Sequence, residues 1–165
     1  MTARGAGFTM IEMMIVVGIV AILILLAAPS YQDGLVREQI SGALPLADIA
    51  KAPLAASWAS AQSFPADNAA AGLPAADKIV SNYVSSVLVQ NGAIHVRFGN
   101  RANGAIMNKI VSIRPAVVED APVVPVAWVC AGAEVPNKMT AKGENKTDVA
   151  ANYLPLACRA LSRAN

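Results

Sequence analysis

Phe8-Thr9-Met10-Ile11-Glu12-Met13-Met14-Ile15-Val16-Val17-Gly18-Ile19-Val20-Ala21-Ile22-Leu23-Ile24-Leu25-Leu26-Ala27-Ala28 is the stretch that decides how the chain is read. From Met13 to Ala28 it holds no charged or strongly polar side chain. Its 21 residues, wound as a helix at about 1.5 Å per residue, span roughly 30 Å, the hydrocarbon thickness of a bilayer. The flank before it, residues 1–7, is small and flexible with a single positive charge at Arg4, the pattern of an end retained on the inner side of a membrane. An ordinary secretory signal has a shorter apolar run of about 7 to 15 residues, with a small-residue cleavage site after it. Glu12 breaks the apolar pattern. A carboxylate within a membrane helix costs about 2.5 to 3.5 kcal/mol on insertion scales. Glu12 therefore either reaches the interface at the near end of the span or meets a positive charge when several copies associate.

Outward from this segment the sequence is unremarkable in composition. The chain has 165 residues, of which 55% are hydrophobic and 15% charged, and the excess of apolar residues is concentrated in the amino-terminal run. This length fits one compact domain with an appended element. The net charge is +2, and Lys51, Lys78, Arg97, Arg101, Lys109, Arg114, Lys138, Lys142 and Lys146 are scattered singly among acids. A basic face for nucleic acid is therefore not indicated. Cys130 and Cys158 could be buried thiols, a disulfide or half of a metal site. Metal is the weakest of these, since His95 is the only histidine and no short cysteine spacing exists to chelate zinc. Export would favour the disulfide.

Beyond Pro29 the pattern becomes amphipathic. Leu35, Val36, Ile40, Leu44, Leu46, Ile49 and Leu54 alternate with charged and polar residues, which predicts a helix to about Ala61 with bends at Pro45 and Pro53. Pro29 is expected to kink or loosen the helix around Leu25, with Gly18 weakening it further upstream. Trp58 reads as a core anchor. Ser63 to Asp77 is a surface loop pinned by Phe64-Pro65. Tyr83 to Val89, the turn signal Gln90-Asn91-Gly92 and Ala93 to Phe98 predict a hairpin. Ile94, Val96 and Phe98 share one face, which sends His95 and Arg97 to the solvent side. Further strands are expected at Lys109–Arg114 and around Val124–Val129, with Pro115, Pro122 and Pro125 as interruptions or edges. Gly99 to Gly104 reads as a turn. About four antiparallel strands laid across the amphipathic half of the helix make an α+β fold. No catalytic constellation, phosphate-cradling loop or cofactor motif is present, and the triplet Asn145-Lys146-Thr147 has the bare form of a glycosylation site.

Gly7-Phe8-Thr9-Met10-Ile11-Glu12-Met13-Met14-Ile15-Val16-Val17, followed by Pro29 and Tyr31-Gln32, resembles the amino-terminal signature of type IV pilins. The resemblance implies a leader peptide, residues 1–7, removed by a prepilin peptidase between Gly7 and Phe8, with Phe8 becoming N-methylphenylalanine. It gives Glu12 an assembly role, neutralising the new amine of an adjacent subunit, so that misregistered subunits would leave a buried charge unpaired. It also implies local unwinding ahead of Pro29, although Ala21 stands where many members carry a glycine. Val126 to Cys130 and Asn152-Tyr153-Leu154-Pro155-Leu156-Ala157-Cys158-Arg159 resemble the family's carboxyl-terminal disulfide region, which implies a Cys130–Cys158 bridge. The organisation expected is a helix over 8–61, with 8–28 as the membrane and filament-core segment, and a head over 62–165 with a disulfide loop over 130–158. The function implied is that of a non-enzymatic subunit, without cofactor or metal. It would wait in the inner membrane and then assemble with other pilin subunits, through an inner-membrane assembly machinery, into an extracellular filament. Such filaments support adhesion to host surfaces, twitching motility and DNA uptake. A minor pilin, a type II secretion pseudopilin and an unrelated anchored domain are the rival readings; the Leu-Pro-Leu-Ala-Cys approach argues against the pseudopilin.

Overall fold

The computed structural model describes residues 7–160, apart from the side chains of residues 27–30. Most of the expected leader, residues 1–6, and the last five residues lie outside the described residues. The chain divides into two units, one ending at Leu35 and one beginning at Val36.

The first unit is dominated by the start of helix α1, which spans Met10–Ala43. A segment this apolar closes its backbone hydrogen bonds within itself, because no side chain in it competes for them. Every large apolar side chain from Met10 to Leu26 is exposed. α1 is helical on both sides of Pro29; the proline's own side chain, and with it the expected kink, lies outside the described residues.

In the second unit the helical path changes character at Pro45. This proline opens a 3₁₀ turn over Leu44–Ala47, since it cannot donate the next α-type hydrogen bond. Helix α2 then runs over Asp48–Ala61, passes through Pro53, and ends on Gln62 in the left-handed conformation with its N–H on the Trp58 carbonyl. Val36, Ile40, Ala43, Ala47, Ala50, Leu54 and Trp58 are all buried, spaced by three and four so that they form one stripe.

From Val36 to Leu54 that stripe lies in one core with the sheet residues Val84, Val87, Val89, Ile94, Val96, Phe98, Val111 and Ile113. The strands are β1 (Val84–Gln90), β2 (Ala93–Phe98), β3 (Ile110–Val117), β4 (Ala127–Cys130) and the short β5 (Thr140–Ala141). Four of them pair in the order β1-β2-β3-β4, all antiparallel, and β5 also pairs with β3. The predicted hairpin turn is present, with positive φ at both Asn91 and Gly92, the requirement of a two-residue type I′ turn. A β-bulge between Val84 and Ser86 shifts the alternation by one, so that Val84 and Val87 both point into the core.

Phe64 caps the hairpin tip. A Cβ on Gly92 would stand 2.7 Å from Phe64, while Asn91 and Gly92 donate their N–H groups to the carbonyls of Ala66 and Pro65. Phe64 also stacks on Trp58, with ring centroids 5.2 Å apart. Beside it, the buried Asn68 dresses the outer edge of β1. Its Nδ2 donates to the carbonyls of Val87 and Pro74, and its Oδ1 accepts from the Val89 N–H.

Three expectations need correction. His95 does not face solvent: it is 3% exposed. β3 continues through Pro115 to Val117. Pro115 is tolerated because β2 pairs with β3 only as far as Ile113, so the proline interrupts no β2–β3 ladder bond, and its carbonyl accepts from Lys142 N–H. The strand expected from Val124 begins only at Ala127, since Pro122 and Pro125 bracket a turn closed by Val124 N–H on the Ala121 carbonyl.

Candidate functional site

Two regions carry features beyond packing. The first is the amino-terminal end of α1. Gly7 and Phe8 precede the helix, a Cβ at Gly7 would meet nothing among the described residues, and Phe8 is 77% exposed. Thr9 opens the helix: its Oγ1 accepts from the Glu12 N–H and its carbonyl from the Met13 N–H. Thr9-Met10-Ile11-Glu12 therefore shows the Thr half of a capping box, with an acid in the first turn, where the helix dipole favours it. The cap is a structural role for Thr9 that its position three residues before Glu12 encodes and that the membrane reading overlooks. The Glu12 carboxylate accepts no hydrogen bond among the described residues. Downstream, Met10, Met13, Met14, Val17 and Gly18 line a shallow apolar groove along the helix. Each large apolar side chain removed from water contributes about 1.5 to 3 kcal/mol. A face this long is thus a strong association surface for a membrane or for other helices.

The second region is the disulfide-bounded end of the head. Cys130, at the end of β4, is bonded to Cys158, in a 3₁₀ turn that follows Pro155. The loop between them crosses the outer face of the sheet as a strap. It starts as β5 on the side of β3 that β2 occupies further along, where Lys142 N–H donates to the Pro115 carbonyl. Gly143, at φ +78°, passes so close to Ala93 that a Cβ there would lie 2.7 Å from it. The strap then spans Ser112 and His95: Lys146 N–H donates to Ser112 Oγ, and Thr147 Oγ1 accepts from Ser112 N–H. It ends on the other edge, where Asp148 exchanges hydrogen bonds with the backbone of Ile110. Polar residues that could not hold a loop by packing thereby hold it by completing the unpaired edge of β3. Lys142 also pairs with Glu119, and Lys146 with Glu144.

Beneath the strap His95 Nδ1 lies 2.9 Å from Ser112 Oγ, and its Nε2 is buried without a protein partner. Burial, reinforced by the Lys146 ammonium, holds the imidazole below its ordinary range against a smaller opposing pull from Glu144. No group of three or more metal-ligating side chains occurs among the described residues.

A comparison with protein families matches residues 36–159 to the family described as Pilin (bacterial filament). The chain belongs to the pilin family. Residues 3–28 of this pilin match the prokaryotic N-terminal methylation motif. It is 32% identical to a fimbrial protein of Neisseria meningitidis serogroup B over 168 residues, covering 96% of each chain. It is 37% identical to the type IV major pilin protein PilE of Neisseria gonorrhoeae over 108 residues, 65% of each. It is 44% identical to the fimbrial protein EcpC of Eikenella corrodens over 92 residues, 53% of this chain and 59% of that one. The pilin is accordingly a structural, non-enzymatic subunit of a pilus at the cell surface, assembling with other pilin subunits.

Proposed function

We propose that this chain is the precursor of a major type IV pilus subunit. A prepilin peptidase cuts it between Gly7 and Phe8, and Phe8 is N-methylated. The mature chain waits in the inner membrane on its 8–28 segment until the assembly machinery packs it into the filament. The observation that carries this is the unbroken exposure of the apolar side chains from Met10 to Leu26 around a single carboxylate. Such a surface has no partner among the described residues, and lipid or copies of itself would cover it. The exposed, non-helical Gly7-Phe8 bond supports access by the peptidase. Cutting there creates a positive amine on Phe8, the one charge that can neutralise Glu12 of a neighbour inside a filament core. Loosening of α1 ahead of Pro29 gives that core its extensibility, and the Cys130–Cys158 bridge holds the head closed outside it. The names of the Neisseria relatives, fimbrial protein and type IV major pilin, support the major rather than the minor role. Adhesion, twitching motility and DNA uptake are the activities such a filament serves.

Mass spectrometry of sheared surface filaments tests the reading in one measurement. The expected species begins at Phe8, carries one added methyl group, contains the Cys130–Cys158 link and dominates the preparation. Recovery of the chain only as a monomer that keeps Met1 would overturn it.

A further inference from the structure

Two guanidinium groups meet at one backbone oxygen. Arg37, on α1 within the second unit, donates from Nη2 to the Asn152 carbonyl at 2.8 Å, and Arg159, just past Cys158, donates from Nη2 to the same oxygen at 3.0 Å. The two nitrogens are therefore no more than about 6 Å apart, close enough for their charges to repel. Arg159 is fixed further by Nε on the Leu154 carbonyl at 2.8 Å. Arg37 Nε is buried without a protein partner, so that side of the group has lost its hydration. No ion pair among the described residues involves either arginine; the five present engage only lysines. Among the described residues, one neutral carbonyl thus holds two half-buried cations together with no carboxylate in ion-pair reach of either.

The geometry points to a phosphate-binding fork formed by Arg37 and Arg159. A single carboxylate is filled by one bidentate guanidinium, whereas a phosphate has the oxygens and the charge to accept from both arginines at once. Both side chains are already anchored, so little rotamer freedom remains to be lost on binding. The phosphate can come from a phospholipid headgroup or from the free ion. Arg37 follows Ala28, the end of the apolar run, by only nine positions; the lipid source, and only that source, rests on the membrane stage proposed above.

The test uses the full chain in maltoside micelles and follows the arginine Nε–H signals by ¹⁵N–¹H NMR. Inorganic phosphate is expected to shift the Arg37 and Arg159 signals saturably, where chloride at equal ionic strength does not. Arg37→Gln and Arg159→Gln are each expected to weaken binding about tenfold or more, and Lys78→Gln to leave it unchanged. Arg159→Lys keeps the charge and loses the fork, so an undiminished affinity in that variant would overturn the proposal even if the Gln variants fold poorly. In lipid discs without free phosphate, the same shift with phosphatidylglycerol and not with phosphatidylcholine assigns the headgroup as the source; a response to the free ion alone assigns the ion. If neither source moves the two signals, the fork is not a phosphate site.

Discussion

The amino-terminal half of α1 and the outer face of the head solve opposite problems. From Met10 to Leu26 the helix satisfies its own backbone and leaves its apolar side chains uncovered. In the head the apolar side chains are covered and polar groups have gone inside: Asn68, His95 and Ser112 are all buried. The first region presents a surface made for a partner; the second is held within its own chain because Asn68 and Ser112 find donors and acceptors there, as does the Nδ1 of His95. An apolar surface that is satisfied by any similar surface suits polymerisation, while a hydrogen-bonded strap suits a head that must keep one shape.

The sharpest way to break this contrast is Glu12→Ala. The expected outcome is membrane insertion as before, loss of at least about tenfold in filament yield, and an unchanged melting temperature for the head. Normal yield by shearing and quantification would remove the assembly role of Glu12. Next, replacing Cys130 and Cys158 together by serine should destabilise the head by about 3 to 4 kcal/mol. Denaturant unfolding measures this, and hydrogen exchange should rise across the strap before it rises in β1 and β2. Asn68→Ala should cost about 1 to 3 kcal/mol, since it strands the Val89 N–H and the Val87 carbonyl. A loss below about half a kcal/mol in the same unfolding experiment would mean that neighbouring groups replace the amide.

The smallest effect expected is a pH dependence. Because the folded His95 binds its proton less readily than the unfolded one, the unfolded state takes up more protons as pH falls below the ordinary histidine value of about 6.5. Stability is therefore full above that value and declines as pH drops toward the depressed folded one. His95→Gln should flatten the decline between pH 7 and 5 in thermal melts; an unchanged slope would assign it to carboxylates instead.

Much of the fold is legible locally. The apolar run, the Asn91-Gly92 turn and the stripe that ends at Trp58 are signals that complete themselves within a few residues. His95 was misread because period-two alternation says which face a residue takes and nothing about what covers that face. The cover arrives from Lys146 and Thr147, 34 and 35 positions beyond Ser112, and a polar segment of that kind looks the same whether it is solvated or pairs with a strand edge. Asn68 was missed for the same reason, its partners lying 19 and 21 positions away. At the amino terminus, Thr9-x-x-Glu12 was visible as a capping pattern, but the charge of Glu12 in an apolar run drew the reading toward assembly alone.

The amide of Asn68 has a consequence for crowding. A filament sets many identical heads side by side at high local concentration, the circumstance in which an open sheet edge recruits its twin and spreads as cross-β aggregate. By occupying the Val87 carbonyl and the Val89 N–H, one short side chain withholds that template at the middle of the outermost strand, so that neighbours can stand close without their sheets fusing.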